Sequence, residues 1–253
     1  MNFVKKHPLL VAFLLPLFIC MIICIGNGVY PFGENCLLHM DLYHQYLPFF
    51  TELHEKLRSG SSLMYTWNLG LGSDFVALFA YYLASPLNWF VVLFPKEHII
   101  EFIEILILLK ISASGSSFFY FLKEHFGLIG KDGKYHEKTF IPAFVFSTAY
   151  ALSGFVAAYS WDVMWMDVVA LAPVVIIGLE KLVRDGKPFI YYVSLSFAIL
   201  SNYYLSIMLC IFLVFYFGWL FFTQKGGKIA AILRFALYSI LAGGTAAVLI
   251  IPE

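Results

Sequence analysis

Seven long apolar runs alternate with shorter polar stretches along the chain: Leu9–Val29, Ile99–Leu122, Phe140–Tyr159, Trp165–Val183, Phe189–Ser201, Tyr204–Phe222 and Ile229–Ile251. About 20 mostly apolar residues cross roughly 30 Å of hydrocarbon as a helix, so each run predicts a membrane-spanning helix. The fifth is short where Asn202 interrupts the apolar pattern, which predicts two helices joined by a tight polar turn. A further apolar stretch, Phe75–Phe94, contains Pro86 and Asn88 and is approached through Gly70 and Gly72. That punctuation suits a re-entrant or interfacial segment better than a crossing. Lys5 and Lys6 ahead of the first run would also suit a signal peptide, but no small-x-small cleavage site follows, so an uncleaved helix is expected.

Between the first two spans lies a long polar segment, about residues 30–96. Winding Asp41 to Arg58 at 100° per residue puts Asp41, Gln45, Pro48, Glu52 and Glu55 on one stripe with His44 beside it. Leu42, Tyr46, Phe49, Phe50, Leu53 and Leu57 fall opposite. The pattern predicts an amphipathic helix lying in the membrane interface, kinked or divided at Pro48, with Glu52 and Glu55 facing water. Asp41 is expected near the membrane end of the loop, in a largely apolar setting.

Charge placement then orients the chain. With a cytoplasmic N-terminus and seven spans, twelve of the 16 basic residues fall inside: Lys5 and Lys6; Lys123, Lys131, Lys134 and Lys138; Lys181, Arg184 and Lys187; Lys225, Lys228 and Arg234. This holds only if Phe75–Phe94 does not cross. Composition agrees with a membrane protein: 61% of residues are hydrophobic, 13% are charged and the mean hydropathy is +0.84. The 16 basic and 16 acidic residues cancel, leaving no basic field to hold nucleic acid. Four cysteines, of which only Cys36 lies outside the apolar runs, do not make a disulfide scaffold.

On this topology three polar clusters share the outer side with residues 30–96: Trp67–Gly72, Trp161–Asp167 and Asn202-Tyr203-Tyr204. Carboxylates at a membrane boundary are costly unless paired or hydrated. For Asp162 and Asp167 a functional carboxylate and a hydrated loop both fit the pattern. A metal site at His39, Asp41 and His44 is disfavoured, because helical spacing brings Asp41 to His44 but turns His39 away. Glu97, Glu101 and Glu104 share a face at the start of the second span and are expected to be hydrated. Lys110, in mid-span, needs a partner or a water cavity. Ser112, Ser114, Gly115, Ser116 and Ser117 point to close helix packing. No P-loop, HExxH or GxSxG motif is present.

The stretches Asp41–Phe50, Trp67–Gly72, Ala80–Asn88, Tyr150–Gly154, Trp161–Asp167 and Ser201–Tyr204 resemble, in order, the bacterial YfhO family. The resemblance implies an all-α integral membrane fold of the C-type (GT-C) glycosyltransferase kind. It implies transfer of sugar from a polyprenyl-phosphate donor to lipoteichoic acid or a related cell-envelope polymer, outside the membrane. It matches Asp41 to the catalytic carboxylate of the first outer loop. His44, Gln45, Tyr46, Asp162, Asp167, Asn202 and Tyr203 become candidate substrate-binding residues. No cofactor is expected; the partners are the lipid-linked donor, the polymer acceptor and the bilayer. Family members are longer, so the chain, one polytopic domain over residues 1–253, resembles their N-terminal part. A transporter or lipid flippase and a non-catalytic assembly protein are the alternative classes.

Overall fold

The computed structural model describes residues 2–130, 135–223 and 227–252. Lys131, Lys134 and Lys225 of the predicted inner loops lie outside the described residues. The chain is almost wholly helical. A short α1 (Asn2–Lys6) precedes α2 (Pro8–Gly26), and after the long polar segment come α5 (Ile99–His125), α6 (Glu137–Ala151), α7 (Gly154–Tyr159), α8 (Met166–Asp185), α9 (Phe189–Ser201), α10 (Tyr203–Thr223) and α11 (Lys228–Ile250). Within the polar segment lie α3 (Leu47–Ser59), α4 (Phe75–Leu78) and a two-stranded antiparallel hairpin, β1 (Tyr65–Thr66) paired with β2 (Ser73–Asp74).

Helices form at all seven predicted positions. Among the described residues five segments are long and apolar enough to cross a membrane: Pro8–Gly26, Lys96–His125, Lys138–Tyr159, Tyr203–Thr223 and Lys228–Ile250. Helix α8 has 20 residues, about 30 Å at 1.5 Å per residue, yet carries Asp167 near one end and Glu180, Lys181 and Arg184 near the other. Helix α9 has 13 residues, about 20 Å, which is short of the hydrocarbon thickness. The two pack on each other. A Cβ at Gly178 would lie 2.7 Å from the backbone of Tyr191, so glycine there sets how closely they approach. The third apolar run is broken where α6 gives way to α7.

Helix α5 is the hub, packed on α2, α6 and α8. Its serine–glycine stretch allows close contact with α2: a Cβ at Gly115 would lie 2.8 Å from the Ala12 carbonyl, and Ser116 donates to the Leu9 carbonyl at 3.0 Å. Phe75–Leu83 and Pro86–Leu93 form two short helical pieces bent by 104°, the geometry of a re-entrant loop or a broken span. Pro86 and the capping geometry explain the bend, since proline removes a backbone donor and pushes the preceding residue out of the helical region.

The helix over Asp41–Arg58 differs from a simple amphipathic anchor. It opens with a π-helical turn, Leu42–Tyr46, and becomes α-helical at Leu47, so Pro48 sits in the first turn, where a missing N–H is harmless. The helix ends at Gly60 in the left-handed conformation (φ 67°). Phe50 meets Phe102 of α5 edge-on (5.8 Å) and Phe49 lies tilted against Tyr82 (4.9 Å), so these rings pack against protein. Glu52 is not hydrated: it is 5% exposed beneath the β1–β2 hairpin. Glu104 is likewise buried, accepting the Leu37 N–H at 2.7 Å.

Candidate functional site

Asp41 follows Met40, a non-glycine residue held at φ 50°. Such a conformation persists only when its surroundings enforce it, and it is concentrated at functional sites. Asp41 precedes the π-helical turn without capping it, and it is exposed. This corrects the apolar setting expected for it. The turn buries Leu42 and Tyr46, leaves Gln45 half-buried and turns Tyr43 and His44 outward. His44 rests edge-on against Tyr43 at 5.4 Å, away from the other candidates.

The buried Tyr46 hydroxyl donates to Asp162 Oδ1 at 2.9 Å, joining the turn to the α7–α8 connection across 116 residues of chain. A second π-helical turn, Phe79–Leu83 in the bent segment, completes the cluster. Tyr82 Oη donates to Gln45 Oε1 at 3.2 Å, and its ring packs between Tyr46 (5.3 Å) and Phe49. Tyr81 lies against Tyr82 (4.7 Å) and Tyr203 (5.6 Å). Asn202 fills two roles at the tight turn: its Nδ2 donates to the Tyr81 carbonyl at 3.2 Å and its Oδ1 caps α10 by accepting the Leu205 N–H at 2.8 Å. Single π turns inside helices recur at functional sites because they re-aim side chains.

Electrostatics couple these groups. Burial pushes the Asp162 carboxyl above the usual range and the Asp41 charge adds to that, while the Tyr46 hydrogen bond pulls it back. Burial, the neighbouring Tyr81 and the charges of Asp41 and Asp162 raise Tyr82. Burial and Asp162 raise Tyr46 still more. At neutral pH both phenols therefore keep their protons and serve as donors.

Asp167 is placed apart from the exposed cluster. Its Oδ2 is 2.6 Å from the ammonium of Lys110 and its Oδ1 accepts from Ser85 at 2.8 Å; Lys110 also donates to the Val163 carbonyl at 3.0 Å. The mid-span lysine thus has its partner, and the pair ties α5, α8 and the bent segment together beneath the cluster. Asp41, Gln45, Tyr46, Asp162, Asn202 and Tyr203 gather around Tyr81 and Tyr82. These two lie in the Ala80–Asn88 stretch that carries the resemblance but are not among the candidate site residues; two adjacent tyrosines followed by Ser85-Pro86 are the visible signal. Among the described residues no three His, Cys, Asp or Glu side chains are close enough to share a metal ion.

A family model described as bacterial membrane protein YfhO matches residues 12–253. The chain belongs to this family. It is accordingly a multi-pass membrane protein. No curated protein and no solved structure matches it. In this YfhO-family chain the stretches Asp41–Phe50, Ala80–Asn88, Trp161–Asp167 and Ser201–Tyr204, separate in sequence, supply the side chains that meet at one end of the helical bundle.

Proposed function

We propose that the chain belongs to a C-type glycosyltransferase that moves sugar from a polyprenyl-phosphate donor to a cell-envelope polymer outside the membrane. The observation that carries this reading is the convergence on one end of an exposed carboxylate, Asp41, and a buried carboxylate–phenol pair, Asp162 and Tyr46. Asp41 takes the proton of the acceptor hydroxyl as it attacks the anomeric carbon, and the phosphate-linked lipid leaves. Its exposure gives an acceptor access, and its charge is felt at Tyr82 and Asp162. Asp162, fixed by Tyr46, and Gln45, fixed by Tyr82, then orient the sugars. The N-terminus is cytoplasmic, which puts this end where a lipid-linked donor is used, since nucleotide sugars are confined to the cytoplasm.

The test is Asp41→Asn in the complete protein, which keeps size and hydrogen bonding but cannot accept the proton. Labelled-sugar transfer to the envelope polymer should fall roughly 10²–10⁴-fold with protein level retained. Near-normal transfer eliminates Asp41 as the base; a total loss confined to Asp162→Asn or Asp167→Asn moves the base there.

A further inference from the structure

Two cavities flank the contact between α2 and α5 at the end where the polar segment begins. The deeper one, of about 310 Å³, is lined by Cys20, Cys24, Ile107, Ile111, Val156 and Ala157 among others. The second, of about 220 Å³, is lined by Tyr30 and Phe32 on one side and by Glu101 and Glu104 of α5 on the other. Cys24, Leu37 and Leu108 line both, so the two meet as one groove. From Glu101 to Ile111 it runs about 15 Å along α5, at 1.5 Å per residue.

The two carboxylates are the groups that the packing of α2 on α5 leaves unexplained. Glu104 is 5% exposed, and its only donor among the described residues is the Leu37 N–H, which reaches Oε1 at 2.7 Å. Glu101 Oε1 lies 3.2 Å from His98 Nδ1, while its Oε2 is buried with no hydrogen-bond partner among the described residues. A carboxylate oxygen taken out of water without a donor is costly. Three residues apart, the two side chains share one face of α5 and one cavity. No Lys, Arg or His is among the described residues lining either cavity. The groove therefore asks for a positive group rich in N–H donors at its Glu101 end and for hydrocarbon along the rest.

We infer that this groove is a site for a phospholipid whose headgroup ends in a primary ammonium, held by Glu101 and Glu104 with an acyl chain along the α2–α5 contact. A primary ammonium brings three donors to the carboxylates, a quaternary one brings charge without any, and an anionic headgroup is repelled. The link between ammonium and phosphate lets the first reach the carboxylates while the second stays in water. The inference is independent of the transferase reading and of Asp41.

The experiment places the full chain in nanodiscs of phosphatidylethanolamine, phosphatidylcholine and phosphatidylglycerol in equal amounts. The chain is then moved into mild detergent, and the lipid still bound is identified by native mass spectrometry. Phosphatidylethanolamine should be retained over each of the others by about tenfold, the scale of one charge-assisted hydrogen bond. Glu101→Gln/Glu104→Gln should abolish that preference without lowering the unfolding temperature, since it removes two like charges. Ala157→Phe, which places a ring in the apolar part, should lower retention of phosphatidylethanolamine. In the parent chain, a photoactivatable phosphatidylethanolamine should cross-link within residues 20–37 or 101–111, a readout that needs no variant to fold. Equal retention of phosphatidylcholine, a preference for phosphatidylglycerol, or a preference that survives the double substitution overturns the proposal. So do cross-links confined to other segments, or displacement of the lipid by an equal concentration of free ethanolamine, which would make the carboxylates a site for a small amine.

Discussion

Lys110 is 1% exposed and Asp167 8%, and their charged atoms lie 2.6 Å apart. Lys110→Met keeps the length of the side chain and removes the charge. It leaves the Asp167 carboxylate buried with only Ser85 as donor and takes from the Val163 carbonyl the ammonium it accepts from. Removing one partner of a buried pair costs about 3–5 kcal/mol, because the remaining charge has no water to return to. A chain of this length loses about 2–4 °C of unfolding temperature per kcal/mol. A loss of about 4 kcal/mol therefore predicts a fall of about 8–16 °C in detergent, followed by the burial-dependent labelling of Cys20 or Cys24 as temperature rises. The double variant Lys110→Met/Asp167→Leu removes both charges and should recover at least half of the loss, since an apolar pair of similar volume has no desolvation penalty. An unfolding temperature within about 2 °C of the parent for Lys110→Met, or a double variant no better than the single one, would refute the view that this pair clamps α5, α8 and the bent segment.

The remaining predictions concern the other end of the same argument. Phe50→Asp should make residues 61–74 protease-sensitive while the spans still insert, at a cost of about 2 kcal/mol for the lost burial against Phe102; unchanged protection would place the anchoring elsewhere. Burial opposes ionisation of Glu52, but Thr66, Asn68 and Lys56 together hold its carboxyl below the usual range. This lowered group contributes stability that is present above its unfolded value and is lost as pH falls through its folded value, so proteolysis of the hairpin should rise in acid and Glu52→Gln should flatten that dependence. Tyr46→Phe removes a hydrogen bond that favours the charged form of Asp162 and should shift its infrared carboxyl titration to higher pH, whereas Asp41→Asn removes a repelling charge and should shift it lower. A cysteine at Ser62 should be labelled from outside intact cells; protection of that site would reverse the proposed orientation.

Much of this was legible along the chain, and the reasons are local. Hydrocarbon leaves an apolar run no choice but to satisfy its own backbone, so helices stand at the predicted positions. Asn202 announces the α9–α10 turn because its side chain both caps a helix and reaches a neighbouring carbonyl. The period of α3 shows which face is apolar, and Phe50 and Leu53 are fully buried as that period requires. The same period says nothing about what covers the opposite face. Glu52 was therefore expected in water, when a hairpin closing over residues 65–74 buries it. The period is equally silent about neighbours in α8 and α9, whose apolar residues are satisfied by packing on one another as well as by lipid.

The sequence by itself determined that the protein is helical and membrane-embedded, where its chain turns, and that Asp41, Asp162, Asn202 and Tyr203 belong to one end. These follow from composition and period, which act over a few residues. Only the tertiary structure decided that Lys110 answers Asp167, that Tyr46 holds Asp162, that Tyr82 holds Gln45, and that Glu52 is an internal strut. Those pairings join positions 14 to 116 residues apart. A hydrogen bond or ion pair depends on ångström-scale placement of two side chains, set here by two π turns and a bent segment, and no local pattern along the chain encodes the partner.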